Sequence, residues 1–179
     1  MKYFIYCLKH YADFSGRARR SEFWFYTLFN SIISLVLAIG FFGKVVALAY
    51  QESLNPNDTM AVMLALFTNP FLIILMLYSL AVFIPTLAVS VRRLHDIGRS
   101  GFWLLGYYVV SWIISIIMQI FTNNPIVVAI LLFPMFALAI WYLVWMFTDS
   151  QYGPNKYGDN PKGMGNPTEE ETNNTEIDQ

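Results

Sequence analysis

The chain has 179 residues, of which 56% are hydrophobic and only 13% charged, with a formal net charge of −1. It is more apolar and less charged than ordinary soluble domains, which places it among membrane proteins, and no nucleic-acid partner is expected. Its single cysteine, Cys7, excludes an internal disulfide and any multi-cysteine metal site, and no cofactor is expected.

The first fifteen residues show an amphipathic pattern. Read as a helix, Lys2, Tyr6, Lys9 and Asp13 share one face while Phe4, Cys7, Leu8 and Tyr11 share the other. Such a helix either lies along the cytoplasmic leaflet or packs on the protein's own spans, both of which need the same apolar face. Gly16 is placed to end it in the left-handed conformation.

Charge then disappears in blocks, because residues 23–43, 59–91 and 100–148 contain no Asp, Glu, Lys or Arg. A bilayer core of about 30 Å is crossed by roughly 20 apolar helical residues. Asn69-Pro70 and Asn124-Pro125 each place a capping side chain before a proline at the first helical position, so helices are expected to begin there. Four spans result: Phe23 to Phe42, Pro70 to Ser90, Phe102 to Phe121 and Pro125 to Phe147. The leftover stretch 59–68, TMAVMLALFT, is too short to cross and reads as a short helix at the outer interface. Pro85 and Pro134 sit inside spans two and four, where kinks are expected.

The basic residues set an orientation. Lys2, Lys9, Arg17, Arg19, Arg20, Arg92, Arg93, Arg99, Lys156 and Lys162 fall on one side of these spans, and only Lys44 falls on the other. The positive-inside rule therefore puts both termini and the 92–99 loop in the cytoplasm. Span one is read as an anchor, since its apolar core is longer than the ~7–15 residues of a signal peptide. Past Asp149 the composition changes to glycine, proline and asparagine and then to the acidic TEEETNNTEIDQ. The expected organisation is one membrane domain over residues 1–162 and a disordered acidic tail over 163–179. Tyr152 and Tyr157 are expected to anchor at the membrane interface.

Three stretches resemble a known family. GRARRSEFWFYTLFN at 16–30, LAVSVRRLHDIGRSGFW at 87–103 and YGPNKYGDNP at 152–161 look like the signatures of the bacterial membrane family called domain of unknown function 805. The resemblance spans residues 1–161 and implies a bacterial inner-membrane protein with four spans. It implies no activity. The fold expected is all-α, a polytopic four-helix transmembrane bundle with an amphipathic N-terminal helix. GRARRSEFW and GRSGFW also echo one another, although Trp24 and Trp103 have a simpler reading as interfacial belt residues.

The charged loop RRLHDIGRS invites three functional readings. His95-Asp96 resembles a general base and its carboxylate, but neighbours on a helix point about 100° apart, and the chain has no HExxH, Walker or paired-carboxylate motif, so no catalytic residue is assigned. A small transporter is the second reading. The spans carry no ionisable relay, so any transport would not be coupled to protons or ions. The favoured reading is a non-catalytic protein whose arginine-rich cytoplasmic face binds anionic lipid headgroups, a membrane-protein partner or a second copy. Arg19, Arg20, Arg92, Arg93, His95 and Arg99 are the candidate anion-binding residues, arginine being suited to bidentate phosphate contact. Gly98 is expected to cap span two and Ser100 to cap span three. Glu22 and Asp96 are the acids within the basic clusters, so Glu22 is expected to pair with one of the 92–99 arginines and Asp96 locally or with the 17–20 set.

Overall fold

Six helices follow one another in the computed structural model, which describes residues 2–54 and 59–167. They are α1 (Lys2–Lys9), α2 (Arg20–Leu54), α3 (Thr59–Phe67), α4 (Pro70–Asp96), α5 (Phe102–Ile120) and α6 (Pro125–Phe147). Among the described residues there is no β-strand, only one isolated bridge between Asn155 and Gly158. Four helices are long and apolar enough to cross a membrane: Arg20–Tyr50, Pro70–Asp96, Phe102–Ile120 and Pro125–Phe147. The chain is therefore an all-α protein with four candidate spans.

Both Asn-Pro pairs start helices for the expected reason. Asn69 Oδ1 accepts from Phe71 N at 2.9 Å, and Asn124 Oδ1 accepts from Ile126 N and Val127 N at 3.2 and 3.3 Å. Each cap satisfies donors that the first helical turn leaves open. Pro85 and Pro134 lie within uninterrupted helices. The first span differs from its expected length: α2 does not stop at Phe42 but continues through Gly43 and Lys44 to Leu54. At 1.5 Å per residue it is about 50 Å long, well beyond a bilayer core of about 30 Å.

The described residues form two compact units, one drawn from Met1–Asp13 and Trp24–Leu87, the other from Phe14–Phe23 and Ala88–Gln179. In the first, α1 packs on α2 through its apolar face: Cys7 is buried, and the Phe4 ring stacks on Tyr26 at 5.7 Å. Of the residues expected on that face, Leu8 and Tyr11 stay exposed. The helix ends at Lys9, so Gly16 does not cap it; Gly16 takes its left-handed φ of 76° in a later turn. Polar contacts from Tyr26 and Asn30 join α2 to α4 in this unit. Thr86 donates its hydroxyl proton to Val82 O at 2.6 Å, which leaves Tyr26 O–H to donate to Thr86 Oγ1 at 2.9 Å. Tyr78 O–H donates to Asn30 Oδ1 at 2.8 Å.

In the second unit α5 and α6 pack through aromatic rings. Tyr107 stacks on Tyr142 at 5.0 Å, and Trp103 meets Trp141 and Trp145 edge-on at 6.0 Å. Beyond α6 the chain forms a hydrogen-bonded loop through residue 166, with Met164 O accepting from Gly153 N and Asn166 bracketing Asn160 through both its amide atoms. The acidic stretch 168–179, most of the expected tail, lies outside the described residues.

Candidate functional site

The site begins with how α4 stops. Gly98, at φ +75°, donates its N–H to His95 O at 3.0 Å, and Arg99 N donates to Leu94 O at 2.9 Å. This pair of bonds closes the last carbonyls of the helix and requires a residue that tolerates positive φ. A Cβ on Gly98 would also meet the Gln151 side chain. α5 then starts from Gly101 as its N-cap. Ser100 sits one residue earlier than its expected capping role requires, and its hydroxyl reaches only Phe102 N at 3.4 Å. The other half of the site is the segment before α2, held against α4 by Ala18 N donating to Arg92 O at 3.0 Å.

Asp96 is the centre. Its side chain is fully buried, and its carboxylate accepts from Arg17 Nε on Oδ1 at 3.1 Å, and from Arg93 Nη1 at 2.5 Å and Ser150 Oγ at 2.6 Å on Oδ2. One buried carboxylate thus faces two buried guanidiniums. The excess positive charge is met by backbone carbonyls. Arg17 donates to the carbonyls of Gly153 and Gln151 at 2.8 and 2.7 Å, while Arg93 donates to those of Met146 and Thr148. Those last acceptors belong to the C-terminal end of α6, where carbonyls lack helical partners and the helix dipole favours a cation. Arg20 adds a third donor there, to Phe147 O at 3.1 Å.

Around this centre the remaining charges pair separately. Arg92 meets Glu22 at 2.9 Å, with both side chains nearly buried. Arg20 meets Asp149 at 2.5 Å, and Lys162 pairs with the same carboxylate. Hydrogen bonds from Arg20, then Lys162 and then Ser150 N hold the Asp149 carboxyl well below the usual carboxylate range, although the group is solvent-exposed. Arg99 lies over the rings of Trp103 and Trp145 at 5.6 and 5.2 Å, a cation–π arrangement. His95 stacks on Tyr157 at 3.7 Å with its ring nearly parallel, and its Nδ1 lies 3.2 Å from Gly16 O, which fixes the proton on Nδ1. All of these contacts lie within the second unit.

The six candidate anion-binding residues are therefore assembled in one unit but do not face one common cavity. Arg92, Arg93 and Arg20 point at carboxylates and carbonyls, Arg99 at indoles and His95 at Tyr157. Arg19 alone of the six has an exposed side chain with no ion pair among the described residues. A cavity of about 360 Å³ at this end is lined by His95, Ser100, Gly101, Phe102 and Leu105, and by none of the arginines. Asp96 pairs both locally, with Arg93, and with the 17–20 set, through Arg17, although Arg17 is not among the six candidate anion-binding residues. Ser150 and the carbonyls of 146–158 carried no signal in the sequence, because backbone acceptors do not depend on residue type. Tyr157, expected at the membrane interface, stacks on His95. Among the described residues no group of His, Cys, Asp and Glu is arranged to hold a metal ion.

Four apolar helices with a buried arginine–carboxylate cluster at one end of them define a multi-pass integral membrane protein. The chain matches the family described as protein of unknown function (DUF805) over residues 11–159, and it belongs to that family. It is 32% identical to the inner membrane protein YhaI of Escherichia coli K12 over 164 residues, covering 90% of this chain and 97% of that one. It is likewise 32% identical to the inner membrane protein YhaH of the same organism over 127 residues, covering 70% and 89% of the two chains. No solved structure matches.

Proposed function

We propose that this is a non-catalytic membrane protein whose buried arginines lock its charged end and whose outward-facing cation, Arg19, engages anionic phospholipid headgroups on the cytoplasmic leaflet. The observation that carries this reading is the division of labour among the arginines. Arg17 and Arg93 have their donors directed to Asp96 and to main-chain carbonyls, with side chains 0–1% exposed, so they have no capacity left for a ligand. Arg19 stands exposed at the start of α2. A basic side chain beside a span is a usual route to anionic headgroups.

Native mass spectrometry of the protein released from nanodiscs of mixed phosphatidylglycerol and phosphatidylcholine tests it. The wild type is expected to retain phosphatidylglycerol preferentially. Arg19→Ala reduces that preference by about fivefold, as expected for one surface cation worth about 1 kcal/mol. Arg92→Lys with Arg93→Lys instead lowers thermal stability and leaves the preference of the folded fraction unchanged, because those guanidiniums face inward. Equal retention of both lipids by the wild type, or no change in Arg19→Ala, overturns the reading.

A further inference from the structure

We propose that one glycerophospholipid is held between α5 and α6, with its phosphate on Arg99 and one acyl chain in the crevice that follows. Arg99 lies over the rings of Trp103 and Trp145 at 5.6 and 5.2 Å, and among the described residues it has no ion pair and no side-chain hydrogen bond. An indole offers its face to the charge but no acceptor, so the five N–H donors of the guanidinium stay unspent. Arg17, Arg20, Arg92 and Arg93 differ in this respect, because each has a carboxylate. A half-buried fork with unused donors beside a span suits a phosphate, which can accept from it through two oxygens.

What continues from Arg99 is apolar and concave. Trp141 packs against both Trp103 and Trp145, with ring centroids 6.0 and 4.5 Å apart. The same Trp141 lines a crevice of about 400 Å³ with Val110, Ile114, Pro134, Ala137 and Leu138. On α5, Trp103, Gly106, Val110 and Ile114 are spaced three, four and four apart and so share one face. Gly106 is the gap in that face, since a Cβ built there would meet nothing within 4 Å. This notch leads from the indoles to the crevice, and Trp103 and Trp141 are left 47% and 42% exposed beside it.

The length of the path points to the ligand. From Trp103 to Ile114 the helix rises about 16 Å, close to half of a bilayer core of about 30 Å. A groove one leaflet deep with a cation at its charged end fits a single phospholipid. Free phosphate would leave the crevice empty, and a bare hydrocarbon would leave Arg99 without an acceptor. A convex helix face touches a lipid chain from one side, whereas the crevice touches it from two helices, and packing contacts of this kind hold neighbours together where water is absent. Every glycerophospholipid carries the phosphate diester, so this site recognises phosphate and chain. It is separate from the headgroup preference assigned to Arg19 and does not depend on it.

Nanodiscs of phosphatidylcholine alone test the site with no anionic lipid for Arg19 to select. Native mass spectrometry is expected to show one phosphatidylcholine per chain that survives removal of the rest. Arg99→Gln should cut that retention about tenfold, the loss of one charge-assisted bond. Gly106→Leu should also remove it, while the melting temperature stays the same or rises, because the new side chain enters open space on a helix that glycine weakens. Gly43→Leu, the same change at a glycine of α2 with nothing within 4 Å, should keep the phosphatidylcholine. Phosphatidylcholine bearing a diazirine midway along one chain gives an independent reading. Its label should concentrate on residues 107–118 and 131–142 in the wild type and lose that concentration in Gly106→Leu. No retained phosphatidylcholine in the wild type, unchanged retention in Arg99→Gln or Gly106→Leu, equal loss in Gly43→Leu, or label spread evenly over the four spans, as bulk lipid alone would give, overturns the proposal.

Discussion

In the first unit, α2 and α4 touch through hydroxyl bonds at Tyr26–Thr86 and Tyr78–Asn30, and α1 stacks Tyr3 on Phe25 and Phe4 on Tyr26 of α2. In the second, Asp96 is buried with Arg17 and Arg93, which also donate to main-chain carbonyls, and Arg92 is nearly buried against Glu22. The first arrangement is neutral, so losing one bond leaves only a small unpaired dipole. In the second, carboxylates and carbonyls together meet three guanidiniums, and removing one carboxylate strands a cation in a place water does not reach. The two units should therefore differ in fragility far more than in size or apolar content.

Asp96→Ala is the strongest way to break this contrast. It leaves Arg17 and Arg93 buried without their carboxylate and is expected to destabilise the protein by about 3–5 kcal/mol, read as a large fall in melting temperature in detergent. Tyr26→Phe is the matching lesion in the first unit. It removes the bond to Thr86 while keeping the ring, and a loss of about 1 kcal/mol is expected. Comparable losses from the two substitutions would erase the contrast.

The smallest effect sharpens it from the exposed side. Asp149 has its folded pKa depressed by Arg20 and Lys162, so its contribution is complete above the usual carboxylate range and is lost as the pH falls through the depressed value. Melting curves of wild type and Asp149→Asn should differ slightly at neutral pH and converge in acid. The gap should also shrink with added salt, since the pair is exposed and screened. A gap that widens in acid would contradict the assignment.

Much of the fold was legible because it rests on patterns the chain displays openly. Charge-free runs mark the four helices, Asn-Pro marks two of their starts, and Gly98 marks the end of α4. The overrun of α2 was hidden by Gly43 and Lys44, which look like a stop but are tolerated on an exposed helix surface. At the site, the acids in the two basic clusters were visible, as was their need for arginine partners. What sequence alone did not reveal was that these arginines also cap α6. Their acceptors are the carbonyls of Met146, Phe147 and Thr148, and a main-chain oxygen looks the same in every residue. Those carbonyls take up donors of Arg93 and Arg20 that a count of charged side chains leaves unassigned.

The acceptors of Arg17 and Arg93 bear on the order of biogenesis. Asp96 and Arg93 emerge midway through synthesis and Arg17 near its beginning, but Met146, Thr148, Gln151, Gly153 and Gly158 are among the later residues translated. Until they arrive, the guanidiniums face bulk water or headgroups and the charged end stays open. Closure of the cluster therefore records that α5 and α6 have been made and inserted with the end of α6 on the same side as Arg17. A chain that stops before Met146 lacks the carbonyls that these two arginines use, and leaves Asp96 as the partner of both.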